Sequence, residues 1–226
     1  MNGFFENELS GLRRKLIRMG REVELNVAEA AGALLTGDAA RGELVVARDR
    51  DINDLENSIT DQAILLIATR QPVAGDLRFL TACLRLATEL ERIGDQAANL
   101  GRRTRELVAL SDPRPLPDEL KVMSREARAM LEAALDALTK SDPALARSVL
   151  ERDDRVDELY RLIRADIIKV MAEDGGRVAW GLEVINAASN LERLGDHATN
   201  LAEEVIFVVR GRNVRHQPEA VAAVGR

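Results

Sequence analysis

An eleven-residue segment occurs twice in this 226-residue chain, and no other feature constrains the fold as strongly. Residues 90–100 and 191–201 are identical at eight of eleven positions, at a constant offset of 101 residues. A gapless match separated by almost half the chain indicates the duplication of a domain-sized unit. We therefore expect two domains of about 100 residues, each with its own small hydrophobic core.

The composition favours helices and excludes several classes of function. Aromatic residues make up only 3% of the chain, and Leu, Ala, Glu and Arg are abundant, so an all-α fold is expected. The net charge of −6 argues against nucleic-acid binding and against a basic membrane-adhesive face. The single cysteine, Cys83, cannot form an internal disulfide, and no secretory signal is visible, which predicts a cytoplasmic protein. The longest apolar stretches, such as residues 205–209, are too short for membrane insertion.

Apolar residues recur at spacings of three and four, which predicts three long helices in each half. The proline-rich residues 111–117 form the best domain boundary. We predict an elongated all-α protein of two pseudo-symmetric three-helix bundles that arose by tandem duplication. The bundles cover residues 1–111 and 117–210, and residues 211–226 are expected to form a flexible tail.

The repeat extends upstream, where residues 49–55 resemble residues 153–159 at an offset of 104. Each half therefore carries two pairs of oxygen-bearing side chains, one pair on its second helix and one on its third. Both members of a pair are four residues apart and project from the same helix face. The pairs are Asp49 with Asn53, Glu91 with Asp95, Asp153 with Asp157, and Glu192 with Asp196.

Like charges at this spacing destabilise a helix, so helix propensity does not explain the pairs. Glu91 and Glu192 also continue lines of apolar or small residues, and Gly94 and Gly195 keep the neighbourhood narrow. If the antiparallel second and third helices place their pairs at the same height, four side chains converge. Such a group would bind a hard or borderline cation through oxygen atoms.

A simpler interpretation is a solvated helix face on which arginines neutralise the acids. Arg50, Arg92, Arg155 and Arg193 are placed to do so, although four pairs at duplicated positions favour a binding site. No histidine shares the arrangement, because His197 is one residue off the acidic face, which argues against a histidine-rich di-iron site.

Other signals of chemistry are weak. The chain has no phosphate-binding glycine loop and no convincing nucleophile with a base, so we predict no catalytic residue and no enzyme. Arg70 and Arg78 flank a tight bend where an anion or a partner could dock, but the bend also reads as an ordinary helix end and helix start. We interpret Cys83, Tyr160 and Trp180 as packing or interface residues.

In residues 70–78, 90–95 and 191–197 the sequence resembles the PhoU family of bacterial phosphate-transport accessory and regulatory proteins. The resemblance covers residues 4–210 and implies two three-helix bundles, metal clusters on acidic motifs, and a homodimer. The motif positions carry over to Asp49, Glu91, Asp95, Asp153, Asp157, Glu192 and Asp196. Asn53 departs from the pattern, so we expect the first site to bind metal more weakly than the second. Iron, zinc, magnesium, manganese and calcium all remain open.

The resemblance also implies a role. Family members are non-catalytic regulators that couple the ATPase subunit of a high-affinity phosphate ABC transporter to a membrane sensor histidine kinase. They repress the phosphate-starvation response, and these partners would hold the cytoplasmic protein at the inner face of the membrane. Two alternatives stay open: a carboxylate-metal hydrolase, and a helical dimerisation scaffold that binds metal incidentally.

Overall fold

A computed structural model describes residues 2–110, 112 and 114–211, and these residues form six long helices with no strand among them. The region predicted as a tail lies outside the described residues from position 212 onward. Within the described part, no helix combines the length and apolar character that crossing a bilayer requires. The helices are α1 (Asn2–Thr36), α2 (Ala39–Arg70), α3 (Ala74–Ala109), α4 (Asp118–Lys140), α5 (Pro143–Glu173) and α6 (Val178–Arg210), with a 3-10 turn at Gly175–Arg177.

Local sequence signals set the helix ends. Gly37 adopts a positive φ of 67° after α1, and the Asp38 carboxylate then caps α2 by accepting a hydrogen bond from the Arg41 amide at 2.9 Å. Asp142 caps α5 in the same way, and Pro143 occupies its first turn. These ends agree with the predicted helix pattern, and the all-α duplicated fold is confirmed.

The two bundles, α1–α3 and α4–α6, share one continuous core rather than two separate ones. The expectation of two small cores is therefore wrong. The core is shared because α3 and α6 pack against each other as well as against their own bundles. Each of these two helices therefore buries apolar side chains on more than one face.

The interface between α3 and α6 contains two polar contacts related by the repeat. The Glu89 carboxylate lies 2.8 Å from His197 Nδ1, and the Asn190 amide donates to the Gln96 side-chain oxygen at 3.0 Å. Because 89 corresponds to 190 and 96 to 197 at the offset of 101, the two contacts occupy equivalent positions. A pseudo-two-fold axis therefore passes between antiparallel α3 and α6.

Within the first bundle, α2 and α3 cross at two glycines. A Cβ atom added to Gly101 would lie 2.5 Å from the carbonyl oxygen of Gly42, and one added to Gly42 would lie 2.8 Å from that of Gly101. The equivalent positions of the second bundle hold Ala146 and Ala202. The close backbone approach in the first bundle thus depends on both glycines.

Candidate functional site

The first acidic cluster lies where α2 packs against α3. Asp49 and Asn53 project from α2, Glu91 and Asp95 project from α3, and all four side chains are half-buried. Burial, and then the charge of Asp95, raise the pKa of Asp49, while Arg102 and the Asn53 amide act in the opposite direction. Asp49 on α2 and Asp95 on α3 are therefore close enough to repel each other, while the convergence of all four side chains stays a prediction.

Glu56 also belongs to the cluster, and the sequence argument missed it. The pKa of Glu91 is raised by burial, then by the charges of Asp95 and Glu56. Glu56 follows Asn53 by three residues and Asp49 by seven, so it lies on the same face of α2. The sequence repeat does not reveal Glu56, because Tyr160 occupies the equivalent position in the second half.

Two oxygen atoms in this first cluster lack hydrogen-bond partners although they are buried. They are Asp49 Oδ1 and Asn53 Oδ1, one helical turn apart on α2. A Cβ atom added to Gly94 would lie 3.1 Å from the Ile52 side chain and 3.6 Å from Asp49 Oδ1, so the glycine allows α2 to pack closely against α3 beside that oxygen. Buried acceptors without a donor are costly, and a bound cation would satisfy them.

The second acidic cluster lies at the equivalent place between α5 and α6. Burial, followed by the charges of Asp196 and Asp157, raises the pKa of Asp153 to about 6. Burial and Asp196 raise the pKa of Glu192, and burial and Asp157 raise that of Asp196. These carboxylates repel one another, while the charge of Arg193 acts in the opposite direction on Glu192 and Asp196.

The two clusters differ in the number of carboxylates that act on one another. The first has four, Asp49, Glu56, Glu91 and Asp95, and the second has five, Asp153, Asp154, Asp157, Glu192 and Asp196. Glu56 supplies the charge that Asn53 lacks. Asp154 adds a further carboxylate to the second cluster, and weaker metal binding at the first cluster stays a prediction.

Arginines do not neutralise the clusters by direct pairing. Arg155 pairs with Glu158, which lies outside the second cluster. In the described part of the chain, Arg50, Arg92 and Arg193 form no ion pair within 4 Å. Arg92 and Arg193 still lower the pKa of Glu91 and Glu192 through their charge, but they do so without a direct ion pair.

The carboxylates are not drawn together into a finished metal site. Among residues 2–110, 112 and 114–211, no three His, Cys, Asp or Glu side chains converge closely enough to hold an ion. An open arrangement is expected where unscreened carboxylates repel one another. His197 is turned toward Glu89 of α3 and supplies no ligand here. The donor set consists of oxygen atoms, which suit hard cations.

The predicted docking arginines lie at the turn between α2 and α3. Arg70 donates two hydrogen bonds to the Glu8 carboxylate, at 2.9 and 3.0 Å, and its guanidinium stacks on Phe4 at 5.1 Å from the ring centre. Arg78 is half-buried beside Gly211, which follows the carboxyl end of α6. Arg70 is thus engaged within the chain, and docking at the bend stays a prediction.

Cys83, Tyr160 and Trp180 contribute to packing. Cys83 is fully buried, and burial raises the pKa of its thiol to about 12, so little reactive thiolate forms at neutral pH. Tyr160 packs against the core, and Trp180 stacks beneath the Arg114 guanidinium at 5.2 Å. These placements confirm the interpretation of all three as packing residues.

Comparisons with known proteins agree with the duplicated helical fold. The family model described as the PhoU domain matches residues 16–104 and again residues 120–205. A relative from Pseudomonas aeruginosa, named phosphate-specific transport system accessory protein PhoU homolog, is 36% identical over 94% of this chain and 88% of its own. A relative of the same name from Rhizobium meliloti is 34% identical over 92% of this chain and 87% of its own.

Solved structures show the same fold. The crystal structure of PhoU from Pseudomonas aeruginosa superposes with a TM-score of 0.89 at 36% identity, covering 92% of this chain and all of that one. The phosphate transport system regulatory protein PhoU from Streptococcus pneumoniae superposes with a TM-score of 0.85 at 25% identity, covering 93% of this chain and 99% of that one.

Proposed function

The chain belongs to the PhoU family, and from that membership we propose that it is a non-catalytic regulator of phosphate homeostasis in the cytoplasm. Its relatives are named as accessory proteins of the phosphate-specific transport system, and this chain has an accessory role of the same kind. We further propose that it couples the ATPase subunit of a phosphate ABC transporter to a membrane sensor histidine kinase and represses the phosphate-starvation response.

The observation that carries the proposal is the duplicated excess of carboxylates on two helix seams. Asp153 is the clearest case, because burial, and then the charges of Asp196 and Asp157, raise its pKa to about 6 from an ordinary value of 3.8. Bringing such groups together costs free energy, and a bound divalent or trivalent cation would offset that cost. We propose that each cluster binds such ions, with Asn53 and Glu56 contributing oxygen atoms in the first.

We propose that cation binding prepares the surface that the partners recognise. The clusters lie on the outer seams of the bundles, α2 with α3 and α5 with α6, and the interface between α3 and α6 stays occupied by the polar contacts described above. Cation binding would therefore change the charge of the outer seams without separating the bundles. The bend at one end of the first seam adds the half-buried Arg78, while Arg70 beside it is paired with Glu8.

A double variant, Glu192→Ala with Asp196→Ala, tests this proposal. We expect bound metal to fall by about half, because only the first cluster keeps its ligands, and capture of the transporter ATPase and the kinase to weaken. The measurements are elemental analysis of purified protein and pull-down at high and low phosphate. A matched control is Asp136→Ala with Asp166→Ala, which removes two exposed carboxylates outside the clusters. Unchanged metal content and unchanged partner capture would contradict the proposal.

The same protein preparations separate the two alternatives. A metal-dependent hydrolase would cleave phosphate esters when loaded with metal and would lose that activity in the double variant. A dimerisation scaffold would lose its dimer in sedimentation experiments while it kept its metal. The regulator that we propose shows neither behaviour.

A further inference from the structure

A groove between α1 and α2 lies apart from the acidic clusters and has no role in the proposed function. It encloses about 330 Å³ and is lined by Glu22, Leu25, Asn26, Arg48, Asp51 and Ile52. The groove continues along the same two helices past Arg18, Asp54 and Leu55.

At the base of the groove lies a buried amide with an unused acceptor. The Asn26 side chain is only 1% exposed, and its nitrogen donates to the Val45 carbonyl oxygen at 3.3 Å. That bond fixes the orientation of the amide and leaves Asn26 Oδ1 buried without a hydrogen-bond partner. A buried acceptor of this kind calls for a donor from a ligand that enters the groove.

The second bundle lacks this arrangement. The buried positions of α1 correspond to those of α4 at an offset of 104, which places Met130 where Asn26 stands. Asp51 and Asp54 of the groove correspond to Arg155 and Glu158, which form an ion pair with each other. The second bundle thus supplies an arginine of its own where the first bundle has a carboxylate.

The carboxylates of the groove are available to a ligand. Glu22, Asp51 and Asp54 form no ion pair within 4 Å in the part of the chain that the structure describes. Arg18 and Arg48 also line the groove, but its three carboxylates outnumber them. The charge of Arg48 also acts on Glu29, which lies outside the groove. The pKa of Glu29 is lowered mainly by its hydrogen bond from Arg41 and further by Arg48.

We propose that this groove binds the guanidinium group of an arginine side chain presented by a partner protein. A guanidinium carries five N–H donors in a planar fork, and Asn26 Oδ1 with the Glu22 and Asp51 carboxylates offers acceptors in the same groove. Leu25 is 60% exposed at the rim, and its side chain offers an apolar surface to the methylene stem of the arginine. The proposal goes beyond the regulatory role and is independent of metal binding.

The probe is acetyl-argininamide, titrated against the whole protein while the NMR signals of the Asn26 side-chain amide are followed. We expect saturable shifts at that amide, and weaker ones with acetyl-lysinamide, which lacks the planar fork. Asn26→Met copies the second bundle and removes the unsatisfied acceptor, so it should fold at least as stably as the parent. Binding to this variant, followed through backbone amides of α1 and α2, should weaken at least fivefold.

A second variant, Asp51→Arg, replaces an exposed carboxylate with the residue that the second bundle has at the equivalent position. It should abolish binding of acetyl-argininamide. The control is Glu126→Gln, which alters the position equivalent to Glu22 in the second bundle and should bind like the parent. Absence of saturable binding, equal binding of the lysine probe, or binding unaffected by both groove variants would overturn the proposal. Loss of metal in the cluster variants would not bear on it.

Discussion

Replacing Gly101 with alanine is expected to lower the free energy of unfolding by about 2–3 kcal/mol. The added methyl group would lie 2.5 Å from the carbonyl oxygen of Gly42, well inside van der Waals contact. That oxygen belongs to the backbone of α2, so a side-chain rotation cannot relieve the clash. The two helices must move apart, and the packing between them is lost over several turns.

The same substitution should weaken the first acidic cluster and spare the second. Asp49 and Asp95 lie on α2 and α3 within about two turns of the glycine crossing, so separating the helices moves their carboxylates apart. We expect the affinity for manganese or calcium to fall at the first cluster alone. Ala146 and Ala202 already occupy the equivalent crossing of the second bundle, so the change affects only one half.

Urea unfolding and a cation titration measure both effects. The control is Gly75→Ala, because a Cβ atom added at Gly75 would meet nothing within 4 Å, and its stability should stay near that of the parent. If Gly101→Ala unfolds at the same urea concentration as this control, the close helix crossing is not as described. If its stability falls while cation affinity at both clusters is unchanged, the crossing does not position the first cluster.

Much of the fold was predictable because short-range signals determine helix ends. Gly37 with Asp38, and Asp142 with Pro143, each specify a stop or a start through their own backbone preferences and side-chain hydrogen bonds. The duplicated acidic pairs were predictable as well, since residues four apart on a helix share a face wherever that helix packs. Such inferences need no knowledge of tertiary contacts.

Features that depend on contacts between distant helices were missed. Glu56 joins the first cluster only because α2 lies against α3, and Tyr160 at its equivalent position hid it from the comparison of repeats. The pairing of Glu89 with His197 requires α3 and α6 to pack antiparallel, which nothing in the local sequence states. The single shared core also follows from the packing of α3 against α6, and patterns within one half of the sequence do not predict it.

Replacing Asp153 with asparagine is expected to stabilise the cation-free protein at pH 7. The pKa of this carboxyl is raised to about 6 in the folded state, mainly by burial and by Asp196, from an ordinary value of 3.8. A raised pKa means that the folded state binds the proton more tightly than the unfolded chain. Its contribution to stability is therefore complete below pH 3.8 and is lost as the pH rises through 6. Asparagine carries no charge at any of these pH values, so the variant avoids the destabilisation that the ionised carboxylate causes at pH 7.

The gain at pH 7 should be about 1 kcal/mol, less than the full shift implies, because Asp153 is partly exposed and solvent screens its neighbours. It should shrink as the pH falls toward 4, and excess calcium or manganese should reverse it, because the parent then gains a bound cation that the variant holds poorly. Urea unfolding in a chelating buffer from pH 4 to 8 measures the first effect. Asp154→Asn removes the same charge from an exposed neighbour and should give a much smaller gain. Equal gains in the two variants, or a loss of stability in Asp153→Asn without cations, would show that the second cluster is not strained by its own charge.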